Sequence, residues 1–342
     1  MTTSLDCSVS LKKETVYGTA VVVDHPLEFL SESFENKPGF LQGKGLRPGF
    51  RVPRSARRSI GKQEAGGSLT IEAPTKGLGI LLEAAFGANT VTVVPSQAGV
   101  YQQVHTPILT DFLASYTIQK GIPKLGGAVD AITFLGAQCS SLEISAKVGE
   151  IVEVATDWTA REAKTSIAYA SPSYPTPLDV FTFVDGVICV GSTLTVPTAT
   201  ALATANTPLA NISEVSAKWD NNLDAGGWNI GGAGLRSRAA AVGLGALTGK
   251  LGATYDSAVL RDAYMAQTPL ALLLTFADLS VIGTSAHPTL QLVVPCIKLE
   301  GELPKANGGD VVVQAIDFTG LDPEVSGQPA VYAVYLSTDT AI

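Results

Sequence analysis

Hydrophobic and polar residues alternate along much of this chain of 342 residues, which is the pattern of β-strands that bury one face. Between Leu69 and Ala73, apolar side chains alternate with threonine and glutamate, and Pro74 cannot continue the hydrogen bonding of a strand. Similar runs, rich in β-branched and aromatic residues and separated by Gly, Pro, Asn and Ser, are predicted strands. They cover 20–23, 69–73, 90–94, 116–119, 131–134, 142–146, 151–157, 181–184, 187–190, 214–219, 270–276, 290–294, 297–300, 311–318 and 330–336. The pattern predicts a mainly β fold, an antiparallel β sandwich or barrel.

Two short segments have the spacing of α-helices instead. In 76–86, apolar residues recur every three or four positions up to Gly87, which predicts a short amphipathic helix with a glycine stop. In 257–267, an apolar stripe predicts a second helix, and Asp256 or Ser257 can cap its N-terminus. The predicted fold is therefore a β sandwich or barrel with one flanking α-helix and a short second helix.

Three local patterns concern the connections between strands. Asp185 followed by Gly186 suits the positive φ angles of a type I′ turn and predicts a hairpin. The pentapeptide EISAK at 143–147 recurs as EVSAK at 214–218, which hints at two related halves, although a chance match in a strand-rich chain explains it equally well. Residues 192–208 are rich in threonine and alanine and predict an exposed loop or edge strand.

The composition favours a protein that associates. Apolar residues make up 46% of the chain and charged residues 16%, and the mean hydropathy of +0.26 is high for a soluble monomer. Part of the apolar surface is therefore expected to contact another subunit. The longest apolar run, 269–277, is far shorter than the roughly 20 residues that span a bilayer, so no membrane partner is expected. The N-terminus lacks a basic segment followed by a long apolar one, so assembly inside the producing cell is expected.

Charge and cysteine content exclude two further classes. The net charge of −8 and the pI near 5.0 argue against tight DNA binding, because sequence-independent DNA binders neutralise phosphates with lysine and arginine. The four cysteines are far apart and form no Cys-x-x-Cys pair, so buried, reduced thiols are predicted rather than disulfides or metal ligands. They are Cys7, Cys139, Cys189 and Cys296.

No motif indicates catalysis or a cofactor. His25, His105 and His287 are scattered and form no pair that could hold a metal ion, so they are interpreted as surface or turn residues. The glycine-rich stretch 243–251 is superficially similar to a nucleotide loop, but its glycine spacing is wrong and leucine stands where a P-loop needs serine or threonine. It is interpreted as a glycine-rich β segment, and the chain is not expected to be an enzyme.

One cluster of charge needs a role. Seven lysines and arginines, and no acidic residue, fall within 44–62. Prolines and glycines preclude a regular helix, so 36–66 is predicted to be an extended arm or long hairpin loop. Three interpretations stay open: a solvated loop, a nucleic-acid contact, and the favoured contact with a neighbouring acidic copy, since arginine pairs bidentately with carboxylates. The candidate contact residues are Arg47, Arg51, Arg54, Arg57 and Arg58.

Several segments, taken in their order, resemble one known family. They are GGSLTIEAPTKGLGILLEAAFG at 66–87, KETVYGT at 13–19, LEFLSES at 27–33, GLRPGFR at 45–51, LEGELP at 299–304 and the terminal STDTAI at 337–342. Together they resemble the major tail tube proteins of long-tailed, siphovirus-like bacteriophages. The resemblance covers nearly the whole chain and is weak between about 192 and 210.

The resemblance implies a single tail tube domain over 1–342, with the arm at about 36–66 and an exposed insertion at about 192–210. It implies a structural virion protein without a cofactor, whose hexameric rings stack into the hollow tube of a non-contractile or contractile tail. The lumen would hold the tape-measure protein and conduct genomic DNA without tight binding, and tail terminator and distal tail proteins would bind the two ends. Localisation in the virion tail after assembly in the host cytoplasm is also implied.

Other classes of function stay open. A carbohydrate-binding β-sandwich adhesin would need aromatic side chains in a shallow groove, but aromatic residues make up only 7% of the chain. A glycosidase would need a carboxylate pair, which the sequence alone does not locate. For a tube, a net negative lumen is expected, because 31 acidic residues outnumber 23 basic ones and the arm uses several of the basic residues.

Overall fold

The computed structural model describes residues 3–176, 178–206, 208–209, 211–255, 258–301, 303–304 and 312–340. In these ranges the chain is mainly β, with two short α-helices, α1 (Gly79–Phe86) and α2 (Val259–Ala266). The strands are β1 (Ser8–Lys13), β2 (His25–Leu27), β3 (Ser31–Glu32), β4 (Glu35–Gln42), β5 (Arg58–Glu72), β6 (Gly87–Val93), β7 (Tyr101–Pro107), β8 (Tyr116–Pro123), β9 (Val129–Lys147), β10 (Glu153–Ala160), β11 (Glu162–Lys164), β12 (Gly186–Val190), β13 (Leu194–Thr195), β14 (Thr204–Ala205), β15 (Ile212–Asp220), β16 (Ala246–Thr254), β17 (Leu270–Ala277), β18 (Thr289–Gly301), β19 (Val313–Gly320) and β20 (Tyr332–Ser337).

Hydrogen bonds join eight strands in the order β4–β5–β10–β9–β15–β16–β19–β18, hereafter the eight-stranded sheet. The N-terminal part of β9 leaves this sheet and joins β2–β1–β8–β9–β11. The N-terminal part of β18 likewise joins β12–β17–β18–β20–β7–β6. Each of these pairings is antiparallel, so the predicted mainly β, antiparallel fold is confirmed.

The core lies on one side of the eight-stranded sheet. Leu69 and Ile71 of β5 are buried, as is Trp158 of the neighbouring β10, whose ring lies 5.7 Å from that of Tyr116. Alternate residues such as Thr70 point away from this core, because side chains alternate across a strand. The eight-stranded sheet therefore has one apolar face and one polar face, as antiparallel sheets often do.

Helix α1 is shorter and more deeply buried than the sequence pattern predicts. All eight of its residues are buried, and it packs against β6, β7 and β9, so the prediction of an amphipathic helix is wrong. Its one carboxylate, Glu83, accepts hydrogen bonds from three neighbouring side chains, which offset the cost of burying a charge. The predicted glycine stop is confirmed, because Gly87 has a φ of 83° and ends the helix.

Helix α2 lies within the predicted segment 257–267 and buries Leu260 and Ala263. It packs against β18. Its two predicted caps, Asp256 and Ser257, lie outside the described residues, as do Glu302 and the last two residues of the C-terminal segment that carries the family resemblance.

Several strands differ from the sequence pattern. Two long strands were predicted as two shorter ones each. Strand β9 contains the segments predicted at 131–134 and 142–146, and β18 contains those predicted at 290–294 and 297–300. A local register shift, and not a turn, separates the two parts of each strand. Residues 20–23 form no strand. The pattern does not reveal β7, because the side chains that it buries include two glutamines and a histidine.

The Asp185-Gly186 pair forms no type I′ turn, so the hairpin prediction is wrong. Phe183–Asp185 is a 3-10 helix, which also replaces the strand predicted at 181–184. The Asp185 carboxylate accepts hydrogen bonds from the Thr182 backbone N–H at 2.7 Å and from its hydroxyl at 2.9 Å. Gly186 has a φ of −82° and begins β12. Local side-chain bonding thus sets this conformation rather than a positive φ.

Within the segment predicted at 192–208, β13 and β14 form a small hairpin. Ala203 is buried, and the Gln291 side chain of β18 bonds both its backbone N–H at 2.9 Å and its carbonyl at 3.0 Å. The tip at 198–201 is exposed. One side of the segment expected to be exposed therefore packs on the sheet that contains β17, β18 and β20.

Candidate inter-subunit surfaces

The predicted arm at 36–66 is a long β-hairpin formed by β4 and the first part of β5. The backbone N–H of Gly43 donates to the Arg57 carbonyl at 2.9 Å, and the Gln42 side-chain amide donates to the Arg54 carbonyl at 3.0 Å. These bonds close the hairpin at the start of a loop that runs from 43 to 57. Arg47, Arg51, Arg54 and Arg57 therefore lie on a loop at the tip of the hairpin, and Arg58 begins β5.

The five candidate arginines form no ion pair with any described residue. Arg51, Arg54, Arg57 and Arg58 are exposed, and Arg47 is half-buried. Two of them cover aromatic rings of the arm itself: the Arg47 guanidinium lies 3.4 Å from the ring centre of Phe50, and that of Arg58 lies 4.5 Å from that of Phe40. The structure therefore places all five on one hairpin.

Large apolar side chains accompany these cations. Leu46 is fully exposed, and five further apolar residues of the arm are more than half exposed. They are Phe40, Leu41, Phe50, Val52 and Ile60. Arginine and aromatic residues together are typical of protein–protein interfaces, and a concentration of exposed apolar surface marks a contact site.

The base of the arm is fixed to the rest of the molecule by the connection between β15 and β16. The indole N–H of Trp228 donates to the Gln63 carbonyl at 3.2 Å, and the Gln63 N–H donates to the Gly234 carbonyl at 2.8 Å. The Lys62 ammonium lies 3.7 Å from the centre of the Trp228 ring. A braced base and an exposed tip suit a hairpin that presents a fixed surface.

The polar face of the eight-stranded sheet is a second candidate surface. Along its strands, residues that point away from the core include eight carboxylates and four lysines. They are Glu72, Glu143, Glu153, Asp157, Glu214, Asp220, Glu300 and Asp317, with Lys147, Lys218, Lys250 and Lys298. Only some of this charge is paired, as in Lys218 with Asp157 at 3.4 Å. Among these twelve residues, acidic ones thus outnumber basic ones two to one.

Like charges meet directly across this sheet. Glu153 of β10 lies opposite Glu72 of β5 in the strand register. Glu300 of β18 lies opposite Asp317 of β19, and the Thr319 hydroxyl donates to the Glu300 carboxylate at 2.7 Å. Such pairs disfavour the sheet slightly, so the acidic character of this face is not explained by the stability of the sheet.

Sequence reasoning missed the role of Glu14, which lies in the segment 13–19. This buried carboxylate accepts hydrogen bonds from four donors, at 2.7 to 3.0 Å. They are the N–H groups of Gly18 and Gly136 and the hydroxyls of Ser115 and Thr117. Glu14 therefore joins its own loop to β8 and β9. An acid beside a turn glycine was the only sequence signal of this structural role.

The described residues offer little for catalysis. His105, interpreted from sequence as a surface or turn residue, is fully buried, and burial lowers its pKa to about 3. Burial also raises the pKa of the Cys139 thiol, which keeps it protonated. In the described ranges, no three metal-binding side chains cluster together. The stretch 243–251 leads into β16, which confirms the interpretation as a β segment.

In the described part of the chain, neither α1 nor α2 is long and apolar enough to cross a membrane. Among known families, a sequence profile described as "Phage tail tube protein" matches residues 4–320. The match includes the arm, the eight-stranded sheet and both helices. No curated protein matches the chain significantly.

Proposed function

Because the chain belongs to the phage tail tube protein family, we propose that its copies join into closed rings and that these rings stack into the hollow tube of a bacteriophage tail. Membership of the family makes it a structural protein of the virion tail. The single observation that best supports the finer proposal is the eight-stranded sheet, which has two open edges and one polar face.

The open edges favour ring formation. Among the described residues, no strand pairs with the outer edge of β4, and none pairs with residues 298–301 of β18 on the side opposite β19. Exposed edges are templates for pairing with another chain. The two edges belong to different strands, so contact between them is heterologous, and repetition of a heterologous contact closes a ring if the rotation permits. The family resemblance implies sixfold repetition in that ring.

The polar face of the eight-stranded sheet is proposed to line the lumen. The tape-measure protein would occupy this lumen during assembly, and genomic DNA would pass through it during ejection. The excess of carboxylates over lysines would repel phosphates, whereas a basic lumen would bind them and release counterions. DNA would therefore slide through without tight binding.

The five arginines of the arm are proposed to contact carboxylates of a neighbouring subunit or of the adjacent ring. The exposure of four of them, and the lack of ion pairs for all five within the described residues, support this role. A single exposed pair contributes only about 0.2–1 kcal/mol, but the contact would recur in every subunit of the tube.

The remaining parts of the proposal follow from the family. Tail terminator and distal tail proteins would bind the two ends of the tube, and assembly would take place in the host cytoplasm without a membrane. The protein would act as conduit and scaffold, not as an enzyme, and it would need no cofactor.

Negative-stain electron microscopy of the concentrated, purified chain tests the proposal. Rings or tubes with a stained central channel are expected. Discrete monomers at all salt concentrations, together with virion tails that contain no polymer of this chain, would contradict it and would favour a surface adhesin.

A further inference from the structure

The strand order of the eight-stranded sheet consists of the same four-strand arrangement twice. The first quartet is β4–β5–β10–β9 and the second is β15–β16–β19–β18. In each quartet, the first two strands follow one another in the chain across a long connection, and the second strand leads to a helix. In each, the last two strands form a hairpin in which the longer strand comes first. The two halves of the chain thus share one topology.

The long strands β9 and β18 share one irregularity. The pairing of β9 with β8 changes register between Phe134 and Ala137, where β9 turns into the eight-stranded sheet. The pairing of β18 with β17 changes register between Val294 and Ile297, at the corresponding bend. Both positions are related by a shift of 160 residues. Because a register shift is a local feature of one strand pair, its recurrence at one fixed offset indicates equivalent units.

The strands β10 and β19 match in sequence at the same offset of 160 residues. Residues 155–159 read ATDWT, and residues 315–319 read AIDFT. Trp158 and Phe318 are both buried, and the aspartate before each one lies on the polar face. Trp158 pairs with Cys139 and Phe318 with Leu299, which are again 160 residues apart. Register, burial and sequence therefore agree at Trp158 and Phe318, and the register differs by one residue at the preceding aspartates, because a bulge lies between Asp157 and Trp158 only.

The helices repeat the same relation. Each has eight residues, and each ends at a residue with positive φ, 83° at Gly87 and 52° at Gln267. In each half, a side-chain amide joins the end of the helix to the long strand. Asn221 donates to the carbonyls of Ala85 at 2.7 Å and Cys139 at 3.2 Å.

In the second half, Gln267 supplies the equivalent amide. It donates to the carbonyls of Tyr264 at 2.9 Å and Leu299 at 3.0 Å. Asn221 belongs to the other half of the chain, whereas Gln267 belongs to the same half as its acceptors. In the second half, the amide that joins the helix to the long strand therefore comes from the same half. In the first half, it comes from the second half.

The two halves of the chain contact each other head-to-tail, as neighbouring subunits of a ring do. Each quartet has an even number of alternating strands, so β4 and β15 run in the same direction. The joint between β9 and β15 is therefore head-to-tail. The pentapeptides EISAK and EVSAK pair with each other across this joint, with Ser145 opposite Ser216. They lie in β9 and β15, which are not equivalent strands of the two quartets, so their similarity is not evidence for the repeat.

We infer that the chain is a tandem pair of tube units and that a ring of six units contains three chains. This inference rests on the proposed tube function, which sets the sixfold repetition. The joint between chains would copy the joint between β9 and β15, with the free edge of β18 in one copy against β4 of the next. Eight strands from one chain would close into a barrel filled by side chains, whereas larger barrels leave a channel, so several chains must share the lumen.

The internal joint identifies the residues of the joint between chains. There, Ser141 lies opposite Asp220. In the second quartet, Glu300 holds the position that Ser141 holds in the first. In the first quartet, Lys37 holds the position that Asp220 holds in the second. The registers of the paired strands give both correspondences. The two side chains carry opposite charges and both are exposed. Glu300 of one copy therefore lies beside Lys37 of the next.

Side chains cap the neighbouring part of this edge in a single chain. The N–H of Phe34 donates to the Glu32 carboxylate at 2.8 Å, and Lys120 donates to the Phe34 carbonyl at 2.6 Å. The joint between chains therefore starts at Glu35 to Lys37. Capped backbone groups also protect a free edge from premature pairing.

Symmetry and mass of the assembled ring test the inference. Native mass spectrometry of single rings is expected to show three chains of 35.4 kDa, and tube reconstructions to show threefold symmetry with two similar units per chain. Six chains per ring would overturn the inference while leaving the tube function intact. Monomers without any ring would instead overturn the tube function itself.

A charge exchange tests the joint. Lys37→Glu is expected to reduce ring formation at least tenfold, and adding Glu300→Lys is expected to restore it. Lys124→Glu, on the turn between β8 and β9, is the matched control and should assemble normally. Circular dichroism confirms folding of each variant. Normal rings from Lys37→Glu, or no recovery in the double variant, would overturn the joint.

Discussion

At the scale of single residues, the buried carboxylate Glu14 shows how an acidic residue of the segment 13–19 can serve the fold rather than a reaction. Its four donors occupy the carboxylate completely, so no acceptor capacity is left for a substrate or a metal ion. Two of these donors are the backbone N–H groups of the buried residues Gly18 and Gly136, which lose this acceptor in its absence. The role of Glu14 is to hold a loop, β8 and β9 in one arrangement.

Replacing Glu14 with alanine is expected to lower the free energy of unfolding by at least about 3 kcal/mol, because buried donors are left without partners. Urea unfolding followed by tryptophan fluorescence measures this change. The exposed Glu28→Ala variant is the matched control and should stay within about 0.5 kcal/mol of the parent chain. An equally small loss for Glu14→Ala would show that its hydrogen bonds contribute little.

His105 makes stability depend on pH. Its pKa is lowered by burial from an ordinary value of 6.5 to about 3. The unfolded chain therefore binds a proton between these pH values while the folded chain does not, so stability falls as the pH drops below 6.5. Between pH 7.5 and pH 5, this one group should cost about 2 kcal/mol.

Urea unfolding at the two pH values isolates this effect. His105→Gln is expected to lose much less stability on acidification than the parent chain, whatever its stability at pH 7.5. His287→Gln, at a half-buried histidine of the same chain, should keep the parent response. An unchanged pH response in His105→Gln would assign the effect to other groups.

At the scale of elements, the sequence pattern predicts those strands that bury apolar residues on one face. Leu69 and Ile71 illustrate this. The apolar spacing after Pro74 also locates α1, but it does not predict that all eight residues of the helix are buried. The pattern fails where polar side chains are buried, as in β7, whose inward residues form hydrogen bonds instead of apolar contacts. It also fails at Asp185, whose carboxylate bonds Thr182.

Surfaces are harder to predict than strands. The cluster of arginines in 44–62 is visible in the sequence, but the six exposed apolar residues that accompany it have meaning only once burial is known. The polar face of the eight-stranded sheet is also hidden, because its charges come from seven strands that are distant in the chain. Pairing of strands, which periodicity does not report, brings them together.

The arm can be tested as an element by reversing its charge. Arg54→Glu, Arg57→Glu and Arg58→Glu combined are expected to give short or absent tubes and soluble subunits, because carboxylates on the neighbouring copy would then be repelled. Tube length in electron micrographs measures the effect. The same number of reversals at Lys12, Lys124 and Lys164, outside the arm, should leave tubes normal. Full-length tubes from the arm variant would remove these arginines from the assembly contacts.

At the scale of the whole molecule, the charge of the polar face is proposed to govern passage of DNA. Screening limits such forces to about 8 Å at physiological ionic strength, so only side chains that project into the lumen matter. Asp157 and Asp317 occupy equivalent places in the two quartets and would repeat around the proposed ring. Their combined effect therefore exceeds that of any single position.

Replacing Asp157 and Asp317 with lysine is expected to slow DNA ejection from otherwise normal tails, and added salt should relieve the defect, because bound phosphates release counterions. Fluorescent-dye release assays of ejected DNA measure the rate. Lysine at Asp6 and Asp130, away from the polar face, serves as the control. A normal ejection rate at low salt in the first variant would contradict the repulsive lumen.

The most direct test of the tube account is an electron cryomicroscopy reconstruction of the virion tail in which this chain is traced. The account predicts stacked rings whose lumen is lined by the polar face of the eight-stranded sheet, with Glu143 and Glu214 pointing toward the axis. A tail tube built from another protein, or a tube of this chain with that face turned outward, would contradict it.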